Sequence, residues 1–241
     1  MMITRTSLIA AGKTLGLAIA LSFGALLPAS AQSHVYTLNN TFADSNGGPS
    51  LVANGGTLST SGYSFAANQG LSLSTALSDG TNYSLSLTFS LTDITSGNTY
   101  KKLVDFNGLA DDAGLYVYQS KLDFYSATGT PGTFLFAPDQ PVTVSLTRDG
   151  ATNIVTGSVD GLQQFSFVDD TGIAVFKTAD KTINFLADDS ATSGREASSG
   201  TVTRITLDSS PVPEASTTIS FGLMLALGGA VVAARKKKAA H

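Results

Sequence analysis

The stretch Tyr83–Leu91 alternates without exception between apolar or aromatic side chains and hydroxyl side chains. Successive side chains of a β-strand point to opposite faces, so this period of two predicts a strand with one face in a core and the other in water. A half-buried strand of this kind belongs to an antiparallel sheet. The rest of the chain must therefore supply partner strands and a second layer that covers the apolar face.

The same spacing recurs on both sides of this strand. The further predicted strands are Val35–Phe42, Tyr63–Ala66, Leu71–Ser74, Lys101–Phe106, Leu115–Tyr118, Lys121–Tyr125, Val142–Arg148, Ile154–Val159, Gln164–Val168, Thr182–Leu186 and Val202–Leu207. Asp-Gly pairs at 79–80, 149–150 and 160–161 suit the positive φ values of hairpin turns. Because no long segment has a helical period, the sequence predicts an all-β fold, a two-sheet antiparallel β-sandwich or jelly roll.

Composition limits what this domain, predicted to span residues 32–211, can bind. Eight Lys or Arg stand against seventeen Asp or Glu in it, which gives a net charge of −9. The whole chain is less acidic, because six of its fourteen cations lie outside this domain. Such an acidic surface repels phosphate, so we expect no nucleic-acid partner. The chain has no cysteine, so neither a disulfide nor a thiolate metal site can stabilise the domain.

Residues 1–31 have the pattern of a secretory signal peptide. Arg5 and Lys13 give a positive start, Leu15–Leu27 is apolar, and Ala29-Ser30-Ala31 fits a small-x-small cleavage site. The pattern predicts cleavage by signal peptidase near Gln32 and export across the inner membrane.

The stretch 212–238 combines a short motif, an apolar run and a basic tail. Thr217–Ala234 has 18 residues without a charge. As a helix it would span about 27 Å, close to the thickness of the hydrocarbon core of a bilayer. This length predicts a transmembrane helix. The cations behind it resist translocation. The motif residues are Val212, Pro213, Glu214, Ala215 and Ser216, and the tail residues are Arg235, Lys236, Lys237 and Lys238.

This arrangement resembles the PEP-CTERM sorting signal of Gram-negative bacteria, which an exosortase recognises and cleaves. The family motif usually reads Pro-Glu-Pro, and Ala215 stands in place of the second proline. The resemblance implies transient anchoring in the membrane, followed by residence in the cell envelope, at the surface or in the extracellular matrix. The alternative is an ordinary C-terminal membrane anchor.

The order of segments between Tyr83 and Asp208 is similar to that of the laminin-G-like, concanavalin A-like sandwich. The segments that carry the resemblance are Tyr83–Leu91, Lys102–Phe106, Gly114–Tyr118, Lys121–Tyr125, Val142–Gly150, Gly157–Gly161, Phe185–Asp189 and Glu196–Val202. The resemblance implies adhesion or glycan binding, with a polysaccharide as partner. A structural matrix protein without a specific ligand is the alternative.

Candidate catalytic residues are scarce, and we expect no enzyme. His34 lies close to the predicted mature terminus and His241 in the tail, so a Ser-His-Asp or Cys-His mechanism lacks a component inside the fold. Glu196 is the only Glu in the domain, which excludes the paired glutamates of related sandwich glycosidases. An aspartate pair leaves a glycosidase as the least favoured alternative.

Two acidic loops are candidates for calcium, because hard oxygen ligands on a loop are what this ion prefers. Asp188 and Asp189 end a predicted strand, and Glu196 follows seven residues later. In the alternative interpretation these aspartates cap a turn, and Arg195 pairs with an acid in water. Asp111 and Asp112 form the second candidate.

Glycan sites usually offer an aromatic face, and the chain has no Trp. The available rings are Tyr100, Tyr116, Tyr118 and Tyr125. Tyr116 and Tyr118 share a strand face, so we expect such a pair to pack inside the sandwich more readily than to bind sugar. The alternating Ser and Thr residues are most simply a solvated outer face.

Overall fold

The computed structural model describes residues 32–94, 100–127 and 132–209. The predicted signal peptide and the predicted sorting signal lie outside these residues, and so do the N-terminal signal helix and the C-terminal transmembrane helix predicted in them. Within the described part of the chain, no helix is long and apolar enough to cross a membrane.

The described residues form fourteen strands in two antiparallel sheets, which confirms the predicted all-β sandwich. The strands are β1 (Gln32–Tyr36), β2 (Val52–Ala53), β3 (Thr57–Ser59), β4 (Gly62–Phe65), β5 (Leu71–Leu73), β6 (Tyr83–Leu91), β7 (Tyr100–Asp105), β8 (Gly114–Tyr118), β9 (Lys121–Tyr125), β10 (Val142–Arg148), β11 (Ile154–Val159), β12 (Leu162–Val168), β13 (Ile183–Phe185) and β14 (Gly200–Ser209).

The larger sheet has eight strands in the order β12-β11-β10-β6-β14-β4-β3, with β1 also paired to β14. Strand β14 pairs with β6 along one edge. Along its other edge it pairs with β4 near its start and with β1 near its end. The smaller sheet has six strands in the order β2-β5-β13-β7-β8-β9. The chain therefore crosses repeatedly between the two sheets, and sequence neighbours β7, β8 and β9 form one continuous meander.

Strand β6 shows why these residues form a sandwich. Its burial alternates over all nine residues, with every apolar position buried. Leu85, Leu87 and Phe89 pack in the core between the sheets, opposite apolar residues such as Leu115 and Phe124 of the smaller sheet. Burial of a large apolar side chain contributes about 1.5–3 kcal/mol, so this alternation selects both the register and the inward face.

His34 lies inside the fold, contrary to the expectation that the only histidine of the domain would sit at its edge. It belongs to β1 and is 4% exposed. Its Nδ1 lies 2.8 Å from Asp44 Oδ2 and its Nε2 2.9 Å from the carbonyl oxygen of Ala76. A ring nitrogen that donates to a carbonyl cannot accept a proton from a nucleophile, so this His–Asp pair fastens β1 to neighbouring loops.

Candidate functional site

Four tyrosines gather on the smaller sheet, and we call them the tyrosine cluster: Tyr100, Tyr116, Tyr118 and Tyr125. The rings of Tyr100 and Tyr118 stack with centroids 4.0 Å apart and an interplanar angle of 15°. Tyr116 and Tyr125 meet Tyr100 edge-on, at 5.6 Å and 5.5 Å. Offset-stacked and edge-on contacts are the favoured geometries of aromatic pairs, so the four rings form one rigid group.

The tyrosine cluster lies on the outer face of the smaller sheet. Leu115 and Val117 of β8 and Leu122 and Phe124 of β9 pack in the core. Alternation along the strands therefore turns Tyr116, Tyr118 and Tyr125 away from it. Tyr100 pairs with Tyr118 across β7 and β8 and shares its face. The expectation that Tyr116 and Tyr118 share a face is met, but this face is not the interior of the sandwich.

Exposure separates the members of the tyrosine cluster. Tyr116 is fully buried, because loops cover its end of the sheet. Tyr100, Tyr118 and Tyr125 are half-buried. Three rings are therefore accessible from solvent, and the fourth supports them from beneath.

A β-bulge in β7 decides which side chains lie beside these rings. Lys102 pairs with Tyr116 and Val104 pairs with Leu115, so Leu103 is an extra residue between them. In a regular strand Lys102 and Asp105 would point to opposite faces, but the bulge turns both to the outer face. Gly114 leaves the necessary room, since a Cβ there would lie 2.7 Å from the carbonyl oxygen of Val104 and 3.2 Å from Lys102 Cε.

Lys102 is the centre of a buried polar group, which we call the Lys102 cluster and which comprises Lys102, Asp105, Asp112, Asp188, Asp189 and Glu196. The Lys102 ammonium forms ion pairs with Asp189 and, at 3.4 Å, with Asp105 Oδ2. It also donates to the carbonyl oxygen of Asp111 at 3.2 Å. All three ion-paired side chains are fully buried.

The structure brings the two predicted calcium candidates together around this one lysine. Asp112 Oδ1 accepts a hydrogen bond from the Tyr116 hydroxyl at 3.0 Å. Asp189 Oδ1 accepts from the backbone N–H groups of Ala191 and Thr192. The alternative interpretation, in which the aspartates cap a turn, therefore describes part of what they do.

Asp188 and Glu196 complete the Lys102 cluster. Asp188 Oδ2 accepts from the Thr192 hydroxyl at 2.6 Å and from the Glu196 N–H at 2.8 Å. Its Oδ1 is buried and, among the residues described, has no hydrogen-bond partner. Such an oxygen destabilises the fold by about 1–3 kcal/mol.

Within the described ranges no group of three or more His, Asp or Glu side chains is arranged to hold a metal ion. The ammonium of Lys102 supplies the positive charge beside Asp189 and Asp105. Calcium binding by Asp188, Asp189 and Glu196 stays a prediction.

The carboxylates act on one another and on the tyrosines. Burial, followed by the charges of Asp112, Asp188 and Asp189, raises the pKa of Glu196 to about 7. Burial also favours a raised pKa for Asp189, but the hydrogen bond and charge of Lys102 outweigh it and hold this pKa below its ordinary value. Burial and then Asp112 raise the pKa of Tyr116 far above its ordinary value, so its hydroxyl is neutral.

The sequence pointed to the tyrosines and to most of the acids, but not to Lys102, Asp105 or Asp123. The only available signal was a pair of lysines in a strand, Lys101-Lys102, because two adjacent charges interrupt an apolar alternation. Lys102 and Asp189 stand 87 positions apart in the sequence, so nothing in it indicates their ion pair.

A concave surface lies at the opposite side of the sandwich, on the larger sheet. It is a shallow groove of about 380 Å³ between the ends of β6, β10 and β11, lined by residues such as Ser84, Thr147 and Thr156. Tyr83 borders it, but its ring is buried and its hydroxyl donates to the carbonyl oxygen of Ala174. The groove offers no aromatic face, so the tyrosine cluster is the better candidate site.

No family model matches this chain. No curated protein matches it either. Among solved structures, the chain is similar to Domain 4 of AbnA, a GH43 extracellular arabinanase from Geobacillus stearothermophilus in complex with arabinotriose. The two are 15% identical, with 77% of this chain and 95% of that chain covered and a TM-score of 0.56.

Two weaker similarities concern CBM40 of the Ruminococcus gnavus IT-sialidase and the apo Crh5 transglycosylase. The first is 11% identical over 64% of this chain and 92% of that chain, with a TM-score of 0.48. The second is 11% identical over 75% and 86%, with a TM-score of 0.49. At these identities the comparison with the arabinanase domain shows the fold alone, a β-sandwich.

Proposed function

We propose that this protein is a non-catalytic carbohydrate-binding protein and that the tyrosine cluster is its binding surface. The observation that carries this proposal is the group of three half-buried rings, Tyr100, Tyr118 and Tyr125, on one outer face of the sandwich. Binding sites combine apolar or aromatic surface with a few fixed polar groups. Lys121 is half-buried on the same face, and Asp123 lies buried there beside Tyr116.

The fold supports this proposal in a general way. A domain of similar fold has been solved in complex with arabinotriose, so this architecture can carry a sugar site. The geometry also disfavours catalysis by His34, whose Nε2 faces a carbonyl. Binding without chemistry is therefore the function that fits the described residues best.

The test is binding of the purified protein to an array of neutral, amine-bearing and anionic oligosaccharides, followed by titration calorimetry on the strongest ligand. We expect Tyr118→Ala to weaken binding about tenfold or more, because it removes a half-buried ring whose contact with a ligand would be worth about 1.4 kcal/mol. Tyr118→Phe keeps the ring and should bind within about threefold of the unsubstituted protein.

Thr143→Ala, on the outer face of the larger sheet, is the matched control and should leave binding unchanged. Thermal melting of each variant establishes that it is folded. A Tyr118→Ala protein that is folded and binds as tightly as the unsubstituted one would refute the tyrosine cluster as the site. An empty array would favour the structural matrix protein instead.

We further infer from the sequence that the chain is exported and sorted by an exosortase to the cell envelope or extracellular matrix. The order of motif, apolar run and basic tail in residues 212–238 supports this inference. Glu214→Ala should leave full-length protein in the membrane fraction of the host, detected by immunoblot. Unchanged processing would instead indicate an ordinary C-terminal membrane anchor.

A further inference from the structure

We propose that the tyrosine cluster selects an amine-bearing glycan, one whose sugars carry protonated amino groups, over neutral and anionic glycans. This inference rests on the proposed function, since it names the class of sugar that the same surface binds. It follows from the charge around and beneath the rings.

The surroundings of the tyrosine cluster are acidic. Asp123 is in register with Tyr116 on the neighbouring strand and lies on the same face. Asp112 contacts the Tyr116 hydroxyl, and Asp189 Oδ2 lies 3.5 Å from that hydroxyl. Lys121, in register with Tyr118, adds one positive charge at the edge of this surface. The acids nevertheless outnumber the cations on this face, and the surface attracts positive charge.

The Lys102 cluster does not cancel this negative charge. Its single ammonium forms ion pairs with two carboxylates, Asp105 and Asp189, while Asp112 and Asp188 lie close enough to add, through their charges, to the rise that burial causes in the pKa of Glu196. Since the lysine cannot neutralise all of them, a negative potential remains behind the rings. In a partly desolvated site such a potential acts more strongly than in water.

Burial is the main cause of the shift in the pKa of Tyr100, and the negative potential adds to it. Burial, followed by Tyr118 and Asp123, raises the pKa of Tyr100 to about 12. A negative field opposes the loss of a proton from a phenol, and for the same reason it favours a bound cation. The half-buried rings and the negative field therefore both favour a ligand that carries a positive charge.

The tyrosine cluster already holds one ammonium group. The Nζ of Lys102 lies 5.2 Å from the centroid of the Tyr116 ring, within the range of a cation–π contact. This contact is made on the buried side. The rings of Tyr100 and Tyr118 each cover one face of the other. An amine that arrives from solvent would meet the ring surface that remains accessible, whereas a carboxylate or sulfate there would meet like charges.

The test compares three trisaccharides by titration calorimetry with the purified protein at low salt: the trimers of glucosamine, N-acetylglucosamine and galacturonic acid. The first two differ only in whether the amine is free or acetylated. We expect the glucosamine trimer to bind about tenfold more tightly than its acetylated counterpart, and the galacturonic acid trimer to bind at least tenfold more weakly than either. High salt should remove most of the advantage of the free amine.

Two charge variants separate a local effect from the overall acidity of the domain. Asp123→Asn should reduce the preference for glucosamine over N-acetylglucosamine about fivefold. Asp208→Asn removes the same charge from β14, in the larger sheet, and should leave the preference unchanged. An equal loss in both variants would show unspecific attraction of a polycation and would overturn the inference.

The wild-type measurements decide the proposal even if a variant fails to fold. Equal or tighter binding of the neutral or the anionic trimer would overturn the preference for amines and leave the proposed carbohydrate binding intact. If none of the three binds and the array is also empty, both proposals fail.

Discussion

The two outer faces of the sandwich are built from similar alternating strands but present different chemistry. Along β6 and β10 of the larger sheet the outward residues are hydroxyls that pair across strands, as Ser86 does with Ser145 at 2.6 Å and Thr88 with Thr143 at 3.0 Å. On the smaller sheet the corresponding positions hold tyrosines, Lys102 and Asp123. The hydroxyls satisfy one another and water, whereas the smaller sheet combines accessible rings with charges removed from water.

This difference indicates where a binding function belongs. Hydroxyl side chains that hydrogen-bond across strands stabilise a solvated sheet face without taking charges out of water. Buried charges such as Lys102 and Asp189 lose hydration, and well-packed apolar residues would often be equally stabilising in their place. A surface that carries such charges next to exposed rings is therefore a better candidate for function than one that does not.

The largest effect should come from removing the central cation of the smaller sheet. Lys102→Met would leave Asp105 and Asp189 buried without their partner, so we expect the free energy of unfolding to fall by about 3–5 kcal/mol. Urea denaturation at neutral pH measures this change. Lys177→Met, at an exposed lysine, is the control and should change the free energy by about 0.5 kcal/mol or less. Similar small losses in both variants would show that the buried charges do not distinguish the two faces.

An intermediate effect should appear in the pH dependence of stability. The pKa of Glu196 is raised from 4.5 to about 7, so between these values the folded protein binds a proton that the unfolded chain has released. The stability contributed by this group is therefore full below pH 4.5 and is lost as the pH rises through about 7.

Glu196→Gln removes this titration and provides the comparison. Between about pH 5 and pH 8 the unsubstituted protein should lose about 2 kcal/mol of unfolding free energy relative to Glu196→Gln. Chemical denaturation across this pH range measures the difference between the two proteins. Parallel pH profiles would contradict the raised pKa and the acidic surroundings from which it arises.

The smallest effect should follow from a change in the hydroxyl ladder. Ser86→Ala removes one hydrogen bond between hydroxyls at a partly exposed position, where water can replace the lost partner. We therefore expect the unfolding free energy to change by about 0.5 kcal/mol or less. Glycan binding should not change. Loss of binding in this variant would place the site on the larger sheet and reverse the comparison between the two faces.

Most of the larger strands could be predicted from the sequence because burial on one side forces a period of two. The predicted bounds of β6, β9, β10 and β11 agree with the structure residue for residue. Strand β1 ends at Tyr36, before the predicted end at Phe42, because the positive φ values of Leu38 and Asn40 turn the chain out of the sheet. Strands β2 and β3 were not predicted, since two or three residues beside Gly55 and Gly56 carry no periodic signal.

The site was predictable only in parts. The sequence identifies the four tyrosines and both pairs of aspartates, because adjacent aspartates and aromatic rings are visible in it one by one. Their arrangement was not, because it depends on the extra residue Leu103 in β7 and on pairing between segments far apart in the chain. A bulge shifts the alternation of a strand by one position. Leu103 and Val104 are adjacent and both apolar, so the sequence does not indicate which of them is the extra residue.

The position of strand β14 has a consequence for when this protein can fold. It is the last described strand in the chain, yet it pairs with β6, β4 and β1 and lies in the interior of the larger sheet. A ribosome delivers β1, β4 and β6 long before β14 emerges, so until then these strands lack the partner they share. The larger sheet can close only when synthesis has passed Ser209. Until then, the edges of β1, β4 and β6 that pair with β14 stay open.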